Sequence, residues 1–214
     1  MTASDAPSVQ FAHLAQLNVA TLRHPLDDPR TAPFVEMLEP VNAAADGTPG
    51  FVWRLVDEGG ADATELRPAG EDVIVNLTVW ETQEALWDFT YRSGHLEVMR
   101  RRREWFERHI EAHLVLWWVP AGRLPTVGEA LERLADLRAN GPSPRAFTFT
   151  SSYTAAEAAQ FLRTQELQTV QPVQREPSTG GARPVPNGGE AALSGAVLAE
   201  PAERIGFGVA PNKA

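Results

Sequence analysis

Four short apolar stretches separated by two helical segments, in the order strand, helix, strand, strand, helix, strand, constrain this chain more than any other feature. Phe11 to Ala20 (FAHLAQLNVA) partly alternates apolar and polar residues, the mark of a half-buried strand. Phe51 to Val56 (FVWRLV), the β-branched run Val73 to Trp80 (VIVNLTVW) and Leu114 to Val119 (LVLWWV) supply three more. After a loop punctuated by Pro25, Pro29 and Pro33, residues Phe34, Val35, Leu38 and Val41 recur at helical spacing until Gly47 and Gly50, with Pro40 as a kink. Thr82 opens a second helical segment, which breaks at Ser93-Gly94. It resumes from His95 through His109, with Leu96, Met99, Arg103, Phe106 and Ile110 on one stripe.

This order predicts an α+β fold, the ferredoxin-like split βαβ with an antiparallel sheet. An extra amphipathic helix over Thr126 to Ala139 turns Val127, Ala130, Leu131, Leu134 and Leu137 inward. The domain is expected over residues 10–150, a short helical extension over 151–169, and a flexible tail rich in Pro and Gly over 170–214. Phe11, Leu17, Val73, Val75, Leu77, Leu114 and Leu116 cannot all share a sheet face with the two helices. The second face is therefore expected to be sealed by the sheet of another copy, in a homodimeric α+β barrel.

Composition narrows the chemistry. The 214 residues carry 28 acidic against 19 basic side chains, a net charge of −9, which disfavours nucleic acid as a partner. Cysteine is absent, removing thiolate catalysis, disulfides and cysteine-based metal sites, and Lys213 is the only lysine, which disfavours Schiff-base chemistry. The start MTASDAPSVQ has no secretory pattern, and the longest apolar run falls far short of the roughly 20 residues that cross a bilayer. A cytoplasmic protein without a membrane partner is expected. No phosphate-binding loop, dinucleotide fingerprint or serine-hydrolase elbow is present.

The densest chemical signal is YRSGHLEVMRRRREWFERH. Gly94 permits a sharp turn, and His95 then opens a helix, where the dipole favours a neutral imidazole suited to general-base work. The alternative role is a helix cap. Trp53, Trp80, Trp87 and Trp105, with Tyr91, are candidates for an aromatic pocket, against the alternative of core packing. Asn18 and Asn76 interrupt apolar strands and need hydrogen-bond partners, from a ligand or from backbone. In the run Arg100 to Arg103, Arg103 falls on the apolar stripe and is the arginine placed near a pocket. His109 and His113 frame HIEAH, but the second begins a strand, so no metal site is assigned.

The blocks VIVNLTVWETQEALWDFTYRSGHLEVMRRRREWFERH and LVLWWVPAGRLPTVGEALERLADLRANGPSPRAFTF resemble an uncharacterised bacterial family of unknown function. That family is placed in the dimeric α+β barrel superfamily, beside the antibiotic biosynthesis monooxygenase-like proteins. The resemblance spans roughly residues 10 to 150 and implies fold and dimerisation. Superfamily relatives include cofactor-independent oxygenases of aromatic polyketides, small cyclases and isomerases, and haem degraders. A first-strand asparagine at Asn18 and the Ser93-Gly94-His95 turn resemble the superfamily pattern. Arg100 stands where the haem degraders place their ligand histidine, which disfavours haem.

Together these readings predict a small-molecule enzyme resembling a cofactor-independent monooxygenase, using neither metal nor flavin. Its ligand would be a small hydrophobic or aromatic, planar or polyketide-like molecule, with His95 catalytic and Asn18 and Asn76 holding an oxyanion. The alternatives are a cyclase, isomerase or dehydratase using the same cleft, or a noncatalytic ligand-binding dimer.

Overall fold

Alternation along the strands sorts the sheet into two faces, and each face finds its own helices. The structure, a computed structural model, describes residues 11–92 and 94–169. Strands β1 (Phe11–Thr21), β2 (Phe51–Arg54), β3 (Val73–Trp80) and β4 (Leu114–Pro120) form one antiparallel sheet in the order β2-β3-β1-β4. Helices α1 (Ala32–Asp46), α2 (Gln83–Arg92), α3 (His95–Trp105), α4 (Val127–Asn140) and α5 (Ala155–Thr169) complete the described chain. The βαββαβ order with β1 and β3 adjacent is the ferredoxin-like α+β fold. The expected tail over 170–214 lies outside the described residues. Among the described residues no helix is long and apolar enough to cross a membrane.

The register places Leu14, Gln16 and Asn18 of β1 opposite Trp80, Thr78 and Asn76 of β3, so all six share the first face. There Leu14, Trp80 and Leu116 pack with Ala45 of α1 and with Leu86 and Phe89 of α2. Local chemistry fixes the helices. Thr82 Oγ1 accepts from Ala85 N at 3.1 Å at the start of α2, and Thr126 Oγ1 caps α4 by accepting from Glu129 N at 3.1 Å. Gly50 lets β2 start tight against α2. Its φ is +83° and a Cβ there would lie 2.7 Å from Ala85 Cβ, so only glycine suits both the conformation and the space.

The second face carries Ala15, Leu17, Val19, Val75, Leu77, Val79, Val115, Trp117 and Val119, in one cluster with Ala130, Leu134 and Leu137 of α4. This corrects the expectation that a second copy must cover it. The amphipathic helix predicted from its apolar stripe lies against β1 and β4, and Leu17, Leu77 and Val79 are only 0–1% exposed within a single chain. Leu17, Val75 and Leu77 lie on this face and Leu114 and Leu116 on the first, so the apolar strand residues do divide between the two faces as expected. Exposed apolar area on this sheet thus no longer motivates a sheet-to-sheet dimer.

After α4 the chain rounds the β4 edge. Ala146 joins the second-face core and Phe147 the first, while Phe147 and Leu116 exchange backbone hydrogen bonds of 2.8 and 2.9 Å that cover part of the open edge. Trp118 Nε1 then donates to the Tyr153 carbonyl at 2.6 Å, fastening this strap beside α2.

Candidate functional site

Between the first sheet face and helices α1, α2 and α3 lies a cavity of about 220 Å³. Its sheet side includes buried Thr78, half-buried Asn18 and Asn76, which is exposed, so its amide does not require a protein partner as the sequence suggested. Its walls are Met37 and Val41 of α1 and Val98 and Met99 of α3, and Phe149 of the strap also lines it. A largely apolar hollow with a few convergent polar groups is the usual form of a small-molecule site.

The polar groups on the floor form a directed chain. Trp80 Nε1 can only donate, and it donates to Thr78 Oγ1 at 2.9 Å. Thr78 gives its own hydroxyl hydrogen to Gln16 Oε1 at 2.8 Å. That turns the Gln16 amide so that Nε2 donates to Asn18 Oδ1 at 2.9 Å. The oxygen of Asn18 is thereby occupied, and its Nδ2, which has no acceptor among the described residues, ends the relay at a cavity-lining residue. A site ending in an amide NH2 favours an acceptor, a carbonyl or a developing oxyanion.

His95, the first residue of α3, also lines the cavity. Its Nδ1 lies 3.4 Å from the Thr90 carbonyl, a contact that calls for the hydrogen on Nδ1 and leaves the lone pair on Nε2. Its ring rests against Phe89 at 5.1 Å between centroids. Burial pulls its pKa below the ordinary 6.5, partly opposed by the Thr90 contact, so the imidazole is neutral near pH 7. Relay and imidazole together supply an anion-stabilising donor and a base around one hollow.

The model of a domain of unknown function, DUF3291, matches residues 13–164, most of the chain and every element that builds this cavity. The chain belongs to the DUF3291 family. No curated protein matches this DUF3291 chain in sequence. Among solved structures, SnoaB, a cofactor-independent oxygenase from Streptomyces nogalater, is 17% identical with a TM-score of 0.37, over 54% of this chain and 99% of its own. A protein of unknown function from Nitrosomonas europaea is 10% identical with a TM-score of 0.38, over 55% and 98%. A dabb family protein with a ferredoxin-like fold from Mesorhizobium loti is 15% identical with a TM-score of 0.33, over 53% and 99%. So slight a similarity assigns no chemistry to the DUF3291 cleft.

Of the residues singled out in the sequence, the DUF3291 structure brings Asn18, Asn76, Trp80, Tyr91 and His95 to the cavity. Four others fall elsewhere. Trp53 pairs with Val79, and a bulge between Phe51 and Trp53 turns its side chain to the second face. Trp87 is 40% exposed on the outer side of α2, one position off the buried Leu86, Phe89 and Thr90; its ring meets Tyr91 at a tilt and Phe149 edge-on, and it does not itself line the hollow. Trp105 is 1% exposed and packs on Phe34 as core.

Arg103 is exposed, and its neighbour Arg102 lines the cavity instead. The inward stripe of α3 is His95, Val98, Met99 and Arg102, because the helix ends at Trp105. Phe106 is extended with φ −119° and ψ 146°, and Ile110 is 98% exposed, so neither belongs to a helical stripe. Sequence reasoning also missed Gln16 and Thr78, which only the strand register joins, and did not place the His109 and His113 rings at the cavity. Among the described residues no group of three or more His, Cys, Asp or Glu could hold a metal ion.

Proposed function

We propose that the cleft is the active site of a small-molecule oxygenase that works without metal or flavin on a planar aromatic or polyketide-like substrate. The observation that carries this reading is the relay Trp80, Thr78, Gln16, Asn18, which holds an amide NH2 ready in a largely apolar hollow that also contains a neutral histidine. Asn18 Nδ2 would bind the substrate oxygen as it gains negative charge, with Asn76, opposite it in the register, as a second amide. His95 Nε2 would accept the proton released from an activated CH2 group.

The resulting electron-rich anion reacts with molecular oxygen. One oxygen atom enters the product as C=O, the other leaves as water with both hydrogens of the CH2, and the four electrons come from that carbon. No external reductant is needed. The apolar walls from α1 and α3 would limit the access of bulk water to the anion.

The test is oxygen uptake with an anthrone substrate and isotopically labelled oxygen. One labelled atom is expected in the product, and Asn18→Ala and His95→Ala should each lower kcat by roughly 100-fold, the scale of losing one oxyanion donor or a positioned base. Turnover that continues without oxygen and without label would replace this reading by a cyclase or isomerase using the same two residues. Binding without turnover would leave a ligand carrier. A homodimer belongs to the same reading as a proposal, to be measured by sedimentation.

A further inference from the structure

Among the described residues four charged side chains line the cavity, Arg54, Asp62, Arg102 and Glu107, and three are already engaged. Arg54 is bound to Asp46 by bonds of 2.9 and 3.3 Å and to the Ala61 carbonyl at 2.7 Å. Asp62 accepts from the Thr64 amide at 2.8 Å and from its hydroxyl. Glu107 faces Arg23 at 3.6 Å. Arg102 differs. It is half-buried, and among the described residues no ion pair or hydrogen bond uses its guanidinium, whereas its neighbour Arg101 is taken by Glu104 at 2.9 Å.

A partly desolvated cation with no protein partner at the edge of an apolar hollow is a favourable place for an anion. The surroundings fit such a guest. His109 and His113 also line the cavity, and their rings are stacked at 5.1 Å with planes 17° apart. His109 Nε2 accepts from the Thr21 amide at 3.4 Å, which leaves its hydrogen on Nδ1 as a donor. Burial, with the positive charges of Arg138 and Arg102, keeps His109 below the usual range, and burial with Arg102 does the same for His113. The pair thus adds little positive charge of its own near neutral pH. One guanidinium beside neutral imidazoles matches a singly charged, planar anion that can take two parallel N–H bonds better than it matches a phosphate dianion.

We propose that Arg102, flanked by His109 and His113, is a carboxylate-recognition site, so that the ligand of this cleft is an aromatic or polyketide-like carboxylic acid held by its carboxylate at the Arg102 end. This rests on the cleft being a ligand site, and it adds a specificity that neither Asn18 nor His95 provides.

The test measures binding of 2-naphthoate and 2-naphthamide, equal in shape and different in charge, to the full chain by titration calorimetry. Naphthoate is expected to bind at least 10-fold more tightly than naphthamide. Arg102→Gln should erase that preference by weakening naphthoate alone, and Arg102→Lys should restore part of it. Equal binding of the two probes by the unmodified protein overturns the carboxylate site while the cleft stands, and that comparison holds even if the variants fail to fold. A preference that survives in folded Arg102→Gln also overturns it. Failure of both probes to bind removes the ligand cleft itself, and the carboxylate site with it.

Discussion

The two faces of the sheet are built from the same strands and have opposite uses. On the α4 side an apolar cluster fills the space between sheet and helix, and even Trp117, 1% exposed, has an indole N–H with no acceptor among the described residues. On the α1 to α3 side Trp80 is as deeply buried, but its N–H begins a relay of three hydrogen bonds that ends at the cavity. Close packing stabilises the first arrangement, whereas the second spends burial on ordering polar groups. A sheet can carry a functional hollow on one side when the other side supplies most of the cohesion.

Perturbing the packed side should produce the largest effect. Leu134→Ala, at a position 2% exposed on α4, removes side-chain atoms from the second-face core and should cost about 3 kcal/mol of stability, read from urea midpoints. Ligand affinity of the folded fraction should be unchanged. If affinity falls in step with stability, the two faces are not separable.

Thr78→Val keeps the shape and cuts the relay in the middle. The Trp80 N–H and Gln16 Oε1 both lose a partner, for a cost of about 1–3 kcal/mol, and the Gln16 and Asn18 amides lose their enforced orientation. Here, unlike Leu134→Ala, the folded protein should also bind ligand more weakly. An unchanged affinity would mean that the relay is structural only.

The smallest effect is a pH dependence. His95, His109 and His113 all have folded-state pKa values below 6.5, so the unfolded chain binds more protons than the folded chain just below that pH. Stability from these groups is complete above about 6.5 and declines as pH falls through the unfolded-state value toward the folded-state values. His95→Phe should flatten the fall in urea midpoint between pH 7.5 and 5.5. Since these three histidines line the cavity, a slope unaffected by the variant would remove His95 from the buried set.

Much of the fold was legible because strand alternation and helix periodicity are local. Asn18 and Asn76 could be read as interruptions of apolar strands, and His95 as a helix opening after Gly94. The aromatic pocket was not legible in the same way. One bulge sends Trp53 to the opposite face, and one helical step takes Trp87 outside, so residue type alone misassigns both. Choosing Arg103 over Arg102 came from phasing α3 on Phe106 and Ile110, two residues beyond its end.

By itself, then, the sequence determined the order of elements, the apolar stripe of α4, the absence of thiol chemistry and the place of the imidazole, since each depends on neighbours in the chain or on composition. Tertiary structure decided which helix covers which face, the pairing of Gln16 with Thr78, and the placing of Arg102 at the hollow with no ion-pair partner among the described residues. Those outcomes depend on register, on a bulge and on where a helix stops, and residues far apart in the chain settle them together.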